Sequence, residues 1–574
     1  MKSRPWLVAA LLGFGATPAL ANESVSGLAD EIVAFQLEID PLAAYQSGLN
    51  PPTHARFADN RPAAIAAGQK RADALLQRLE AIDPAKLDGR DAVIHAVARE
   101  MLEANKQLRI CRTEYWGVNH MFGWQMMLPL VAERQPVATV EERAQALQRW
   151  GSLGDFVDVE IANLRRGLGE GYSMPKSIAE RVIRQVEGLA SGEVGKSPFH
   201  SPAKRADDAA FRSEFEKLIL EQVQPALRRY AAFLKTEYLP KARETLGLSA
   251  LPNGRECYAA WLRRFTTLER TPEEVMALGE QTVAANVAEV RAMGKKRYGN
   301  DDFKTIVSRL RDDPANRFSA EAEILPFVLA RVDKAKAAST SAFHRLPDQP
   351  MEVRLYPDYL RGSGVTSHYQ PGGDPKTPGL FMLQTDNWQA QRRTDMEVLA
   401  FHEAYPGHHM QIGLSASLPT HDISKLAFNA AYSEGWGRYA EALSEELGLY
   451  SGDEVKIQRR AWPARGMVAD PGLHLKNWSR EQTYQYLLEA GRFSPQETAE
   501  LIDRMAALPG QLTAYDSGGL EIRALRQEAQ KALGDRFDLK AFHQIVLEDG
   551  SVPLGLLRQK VEGWIAATKA ANAN

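Results

Sequence analysis

Thr394-Asp395-Met396-Glu397-Val398-Leu399-Ala400-Phe401-His402-Glu403-Ala404-Tyr405-Pro406-Gly407-His408-His409 is the stretch on which the reading of this chain turns. Thr394 followed three residues later by Glu397 has the form of a capping box, which predicts a helix starting there. Such a helix turns Met396, Leu399 and Ala400 inward and delivers His402 and Glu403 about two turns on. In an uninterrupted H-E-x-x-H helix, two histidines one turn apart share a face and bind zinc, while the Glu between them activates a water. Here position 406 is proline. On a regular helix His408 would lie about 120° off the required face, and His409, back on it, would sit roughly 10 Å further along. Pro406 cannot donate the hydrogen bond that the His402 carbonyl would accept, and Gly407 tolerates unusual dihedrals. The segment therefore reads as H-E-x-x-H with two residues inserted at a helix break. His408 becomes the second ligand, with His409 the alternative or a supporting group. Three of the chain's 12 histidines fall within eight positions, which favours a metal site over scattered surface histidines.

A catalytic zinc site needs a third protein ligand and an open position. Asn429-Ala-Ala-Tyr-Ser-Glu434-Gly-Trp-Gly-Arg-Tyr439-Ala-Glu441 supplies Glu434 among small and apolar residues, where a buried carboxylate needs a metal or a partner. Gly435 and Gly437 are expected to let this helix approach the motif helix. Glu441, in a charge-rich run ending at Glu446, reads as surface.

Upstream, from about Glu23 to Thr340, amphipathic helices follow one another, for example through Leu75, Leu76, Leu79 and Ile82 and again from Phe215 to Leu234. Prolines at Ser201-Pro202, Thr271-Pro272 and Asp313-Pro314 mark breaks. Between Pro350 and Thr385 two short strands, Glu352 to Tyr356 and Gly379 to Gln384, flank a Gly- and Pro-rich loop from Gly362 to Gly379. The later strand could pair with an extended peptide by strand addition, with the loop as a lid. The expected fold is mainly α, a large helical metallopeptidase-like fold with a small β-sheet beside the motif helix. Its expected divisions are a signal segment at 1–21, a helical region at 22–340 and a metal-site region at 341–574, the last two forming one catalytic unit.

Lys2 and Arg4, an apolar run from about Trp6 to Ala16 and the small residues Ala19-Leu20-Ala21 have the form of a secretory signal, too short and Gly-interrupted to remain as a membrane span. No Cys follows it to take a lipid anchor, so a soluble periplasmic or secreted protein is expected. Without the segment's two cations, 68 of the 70 Lys and Arg residues stand against 73 acids, which argues against nucleic acid or a membrane surface as partner. Cys111 and Cys257 allow two buried thiols or one disulfide and no cysteine metal cluster. The sequence does not specify an oligomeric state.

These residues, with Pro509-Gly-Gln511-Leu-Thr-Ala-Tyr515-Asp-Ser-Gly518 and the stretch from Phe537-Asp538 to Val552-Pro553-Leu554, resemble a bacterial family catalogued as domain of unknown function 885. The likeness covers most of the mature chain and is most specific over His402 to Gln411 and Ser433-Glu434-Gly435-Trp436. It implies distant kinship with helical zinc peptidases that use two histidines and a downstream glutamate. The sequence departs from the family pattern at Pro471, where Thr is expected in Asp470-Pro471-Gly-Leu-His474, and at Asp516, where Lys is expected. On this reading zinc held by His402, His408 and Glu434 lowers the pKa of a water, Glu403 takes its proton, and Tyr515 and His474 are candidate donors to the oxyanion. Arg526 could hold a substrate carboxylate or form a surface ion pair. A peptide is the expected substrate. The alternatives are a zinc amidase acting on cell-wall peptides and a non-catalytic metal-containing binding protein, the latter disfavoured because a purely structural site has no use for Glu403.

Overall fold

The computed structural model describes residues 24–357, 366–427 and 429–571; the segment read as a secretory signal lies outside them, as does part of the Gly- and Pro-rich loop. Helix follows helix along the described chain, and the expected local chemistry starts many of them. Thr139 with Glu142, Thr271 with Glu274, Ser479 with Gln482 and Ser494 with Glu497 form reciprocal capping boxes, each satisfying two backbone donors at a helix start. Pro272 occupies the first turn of its helix, where its missing N–H costs nothing.

Two large apolar cores organise these helices, and the chain passes between them. The first draws on residues 45–258 and again on 462–512. The second draws on residues 318–455 and 514–561, including Phe401, Trp436, Phe381 and Leu383. Cys111 and Cys257 form a disulfide that ties the turn after the Gly89–Leu108 helix to the Gly254–Thr266 helix.

The sheet has three strands, β1 (Met351–Leu355), β2 (His368–Gln370) and β3 (Gly379–Leu383), in the order β1-β3-β2. β1 runs parallel to β3, with Met351 opposite Gly379 and Leu355 opposite Leu383. β2 runs antiparallel to it, with Tyr369 opposite Phe381. β3 is therefore the central strand, paired on both sides, and has no free edge to offer a peptide. The edges are β1 and β2, the latter a strand within the segment read from sequence as loop. In β2 the Tyr369 N–H is already donated to the Glu403 carboxylate at 2.9 Å, and Pro371 beyond it has no N–H to give, so strand addition is not supported there either.

The motif helix spans Arg393–Glu403, with its N-cap at Arg392 two residues earlier than the capping-box reading, and carries no side-chain cap. Thr394 lies inside it, its N–H donating to Asn316 Oδ1 at 3.0 Å. Glu397, nearly fully buried, accepts from the backbone and hydroxyl of Ser451 at 2.6 and 2.9 Å instead of reaching back to the helix start. Tertiary partners thus replace the local cap.

Candidate metal centre

The motif helix ends at Glu403, and a second helix, His408–Ser415, begins after a four-residue turn. Gly407 is required at this turn for close approach: a Cβ there would fall 1.9 Å from the His402 carbonyl oxygen. Trp436 Nε1 donates to the Pro406 carbonyl at 2.9 Å, so this buried acceptor of the turn is satisfied by the helix Ala430–Glu446. The break brings the His402 and His408 rings together edge to face, centroids 4.7 Å apart.

Nε2 of His402 and Nε2 of His408 stand 3.4 and 3.6 Å from the same oxygen, Glu434 Oε2. His402, Glu403 and His408 offer ligand atoms all within 4.8 Å of one another and form a group able to hold a metal ion. The donor set fits a borderline cation such as zinc, with two imidazole nitrogens and carboxylate oxygens. Glu434 keeps 23% of its side chain exposed, so the cluster opens outward on that side. His409 points elsewhere. Its Nδ1 meets the Tyr369 hydroxyl at 3.0 Å, and burial, with Lys336 nearby, pushes its pKa down to about 4.

Glu441, read from sequence as surface, is buried at 3% exposure and lies 2.9 Å from His402 Nδ1. The signal was available: position 441 is seven residues after 434 and so returns to the same helix face. A carboxylate on the far ring nitrogen fixes tautomer and orientation and raises the basicity of the near one. Arg438, on the same face, donates to Glu441 at 2.9 Å and approaches Asp516 at 3.4 Å. Burial alone would push the His402 imidazole down, but Glu434, Glu441 and Glu403 outweigh it and hold it up at about 10. Glu434 is held well below the usual carboxylate range because the two imidazoles outweigh its burial. Excess negative charge and close-set imidazoles are what a divalent cation would stabilise.

Gly437 lets the His402 ring lie against the Ala430–Glu446 helix, where a Cβ would fall 2.5 Å from the imidazole. Gly435 packs elsewhere than expected. Its Cβ would meet the backbone of Gly518 on the Gln511–Leu533 helix at 2.5 Å, so these two helices cross backbone against backbone. That crossing presents Tyr515 to the Glu434 side of the site, with Arg504 donating to its hydroxyl at 3.0 Å.

A family model for bacterial proteins of unknown function, DUF885, matches residues 41–561. The chain belongs to this family. A solved candidate lipoprotein from Colwellia psychrerythraea, 22% identical to this DUF885 protein, has a TM-score of 0.82 and covers 95% of this chain and 99% of its own. A candidate lipoprotein of unknown function from Shewanella oneidensis, 17% identical, has a TM-score of 0.78 with 94% and 99% covered. A candidate oligoendopeptidase F from Bacillus anthracis str. Ames is 12% identical over 87% of this chain and 97% of that one, but a TM-score of 0.25 is too low to signify a shared fold. No curated protein matches the chain.

One sequence expectation changes in this DUF885 protein, and another resolves to its plainer alternative. His474 is not free to act as an oxyanion donor. Its Nδ1 accepts from the Leu248 N–H at 3.2 Å, its Nε2 faces the Met505 carbonyl at 3.1 Å, and it stacks on Tyr258 with no exposure. Neighbouring Asp470 accepts from Tyr258 at 2.7 Å and from the Gly510 N–H at 2.9 Å, so this cluster pins the turn that starts the Tyr515 helix. Arg526 pairs with Glu446 at 2.7 and 3.0 Å, the ion pair that was the plainer of its two readings. Tyr369, which orients Glu403, was not found from sequence; nothing in its loop-like surroundings singles it out.

Proposed function

We propose that this protein is an exported zinc-dependent peptidase acting on short peptides, with zinc held by His402, His408 and Glu434 and with Glu403 as general base. One observation carries the reading: two histidine Nε2 atoms, 3.4 and 3.6 Å away, converge on one oxygen of Glu434 beside the Glu403 carboxylate. Kinship with helical zinc peptidases, drawn from the motif, belongs to the same proposal. Zinc, when bound, supplies Lewis acidity toward the scissile carbonyl and lowers the pKa of a water. Glu403 accepts the Tyr369 N–H on one oxygen, which orients the carboxylate and leaves lone pairs to take a proton from water and return it to the leaving amine. The Tyr515 hydroxyl accepts from Arg504, leaving its own proton to donate to a developing oxyanion. Glu403 and His408 are buried, which favours thin, extended substrates over folded proteins.

Among the described residues no helix is long and apolar enough to cross a membrane. Export rests on the N-terminal sequence pattern and is supported by the description of two similar structures as lipoproteins. N-terminal sequencing of the cell-envelope or secreted form should begin near Asn22. The central test is metal analysis with a peptide-library digest: about one zinc per chain is expected, with cleavage abolished by chelation and zinc lost in His402→Ala and Glu434→Ala. Full occupancy in both variants, or digestion indifferent to chelator, would sink the reading.

A further inference from the structure

Beside the metal cluster lies a cavity of about 170 Å³ whose charged lining is Arg438, Arg492, Arg504 and Asp516. One water needs roughly 10–15 Å³ of such space, so the cavity has room for a group the size of an amino-acid side chain or terminal residue. Its other walls include Trp462, Phe493 and Leu501, and Tyr515 forms the boundary toward Glu434. Three guanidinium groups face one carboxylate, and that carboxylate already neighbours Arg438 at 3.4 Å. Arg492 makes no guanidinium hydrogen bond among the described residues; its guanidinium carbon lies 5.6 Å from the centroid of the Phe493 ring. Nε of Arg504 is buried without a hydrogen-bond partner, its Nη2 alone donating to Gln511 and Tyr515, and Nε of Arg438 has only the 3.4 Å approach to Asp516. Burial, helped by Arg438 and Arg392, outweighs the pull of Asp395 and Glu441 and draws the Arg492 guanidinium below its ordinary value.

A larger cavity of about 620 Å³ also contains arginines; Arg459 and Arg460 are paired with Glu445 and Arg526 with Glu446, while burial draws Arg523 below its ordinary value. The smaller cavity is distinguished by position: its Arg438 donates to Glu441 and its Tyr515 borders Glu434, so its donors lie next to the cluster.

We infer that this cavity is a carboxylate subsite, in which Arg492 and Arg504 receive a carboxylate of the substrate while the aromatic and aliphatic walls take the adjoining apolar part. The inference rests on the peptidase reading for its substrate and deepens it. A carboxylate supplies the acceptors that the guanidinium donors lack, in the planar fork geometry that arginine matches best. The carboxylate is either the peptide's C-terminus, which would make the enzyme act near chain ends, or an acidic side chain.

The test is binding of three small probes to the full mature protein by calorimetry, once zinc-loaded and once after chelation. The probes are N-acetylphenylalanine, its primary amide, and N-acetylglutamic acid α-amide. A carboxylate probe should bind roughly 10- to 100-fold more tightly than the phenylalanine amide with or without zinc, as expected for charge-assisted hydrogen bonds. Preference for N-acetylphenylalanine assigns the C-terminus; preference for the glutamic α-amide assigns a side chain. Arg492→Gln should remove most of the preference and Arg492→Lys should restore part of it. Equal binding of acids and amide, a preference that survives both Arg492→Gln and Arg504→Gln, or one that vanishes on chelation would overturn the subsite. The comparison on the unaltered protein decides even if a variant fails to fold. Carboxylate preference without any peptide hydrolysis would refute the peptidase reading and leave the subsite standing; chelator-sensitive hydrolysis without preference would do the reverse.

Discussion

His402 and His474 are both buried histidines near the ends of helices, yet their surroundings assign them opposite chemistry. His474 spends both ring nitrogens on backbone groups of Leu248 and Met505, and burial pushes its pKa down to about 3. His402 has a carboxylate at each ring nitrogen, Glu441 at 2.9 Å and Glu434 at 3.4 Å, and stands beside an opening to the exterior. His543 follows the first pattern, satisfied by Tyr439 at 2.7 Å and the Ala342 carbonyl at 2.8 Å. Burial alone therefore does not mark a functional histidine here. The kind of partner does: uncharged backbone or hydroxyl partners fix a neutral ring in a core, whereas carboxylates gather charge that a cation can share.

The sharpest way to break this contrast is Glu403→Gln, which keeps the side chain's size but removes its capacity to accept a proton. Peptide hydrolysis should fall on the order of 100- to 10,000-fold with zinc content and folding near normal. Undiminished turnover would show that the proposed base is idle. Glu441→Gln comes next: zinc affinity should drop roughly 10- to 100-fold because His402 loses the carboxylate that orients it. An unchanged affinity in metal titrations would return Glu441 to a purely structural role. Between the paired histidines, His408→Ala should lose zinc, whereas His409→Ala should retain it; the reverse order would exchange their assignments.

A smaller expected loss, about tenfold or somewhat more, attends Tyr515→Phe, which removes one oxyanion donor while leaving zinc and base in place. For His474 the contrast predicts a stability effect and no metal effect. Its folded pKa lies below the unfolded value of about 6.5, so its contribution is fully present above pH 6.5 and is lost as pH falls toward about 3. Denaturation midpoints across that window should show a slope of at most about 1.4 kcal/mol per pH unit from this one group, absent in a folded His474→Asn protein. An identical slope in the variant would place the titrating group elsewhere.

Local chemistry made much of the helical framework readable, and the helix break at Pro406-Gly407 is the clearest example. A residue without an N–H and a residue without a Cβ, placed between two histidines, dictate an interruption whatever surrounds them. The capping box at Thr394 failed for the complementary reason: Asn316 and Ser451, far away in sequence, engage the same groups. The 434-to-441 spacing carried the Glu441 assignment, but its charged neighbours toward Glu446 obscured it. Tyr369 had no comparable local signal, since β2 becomes a strand only by pairing with β3.

The sequence by itself determined the mainly helical fold, the interrupted motif and the residue types gathered around it, because periodicity, proline and glycine act within a few positions of themselves. Only the tertiary structure decided that His408 and not His409 faces His402, that Glu441 stands behind the site, that β3 is enclosed and that His474 belongs to a core. Each of those outcomes depends on which distant backbone or carboxylate reaches a side chain first. The glycine contacts that bring those partners within reach, Gly437 against the His402 ring and Gly435 against Gly518, form only when separate helices meet.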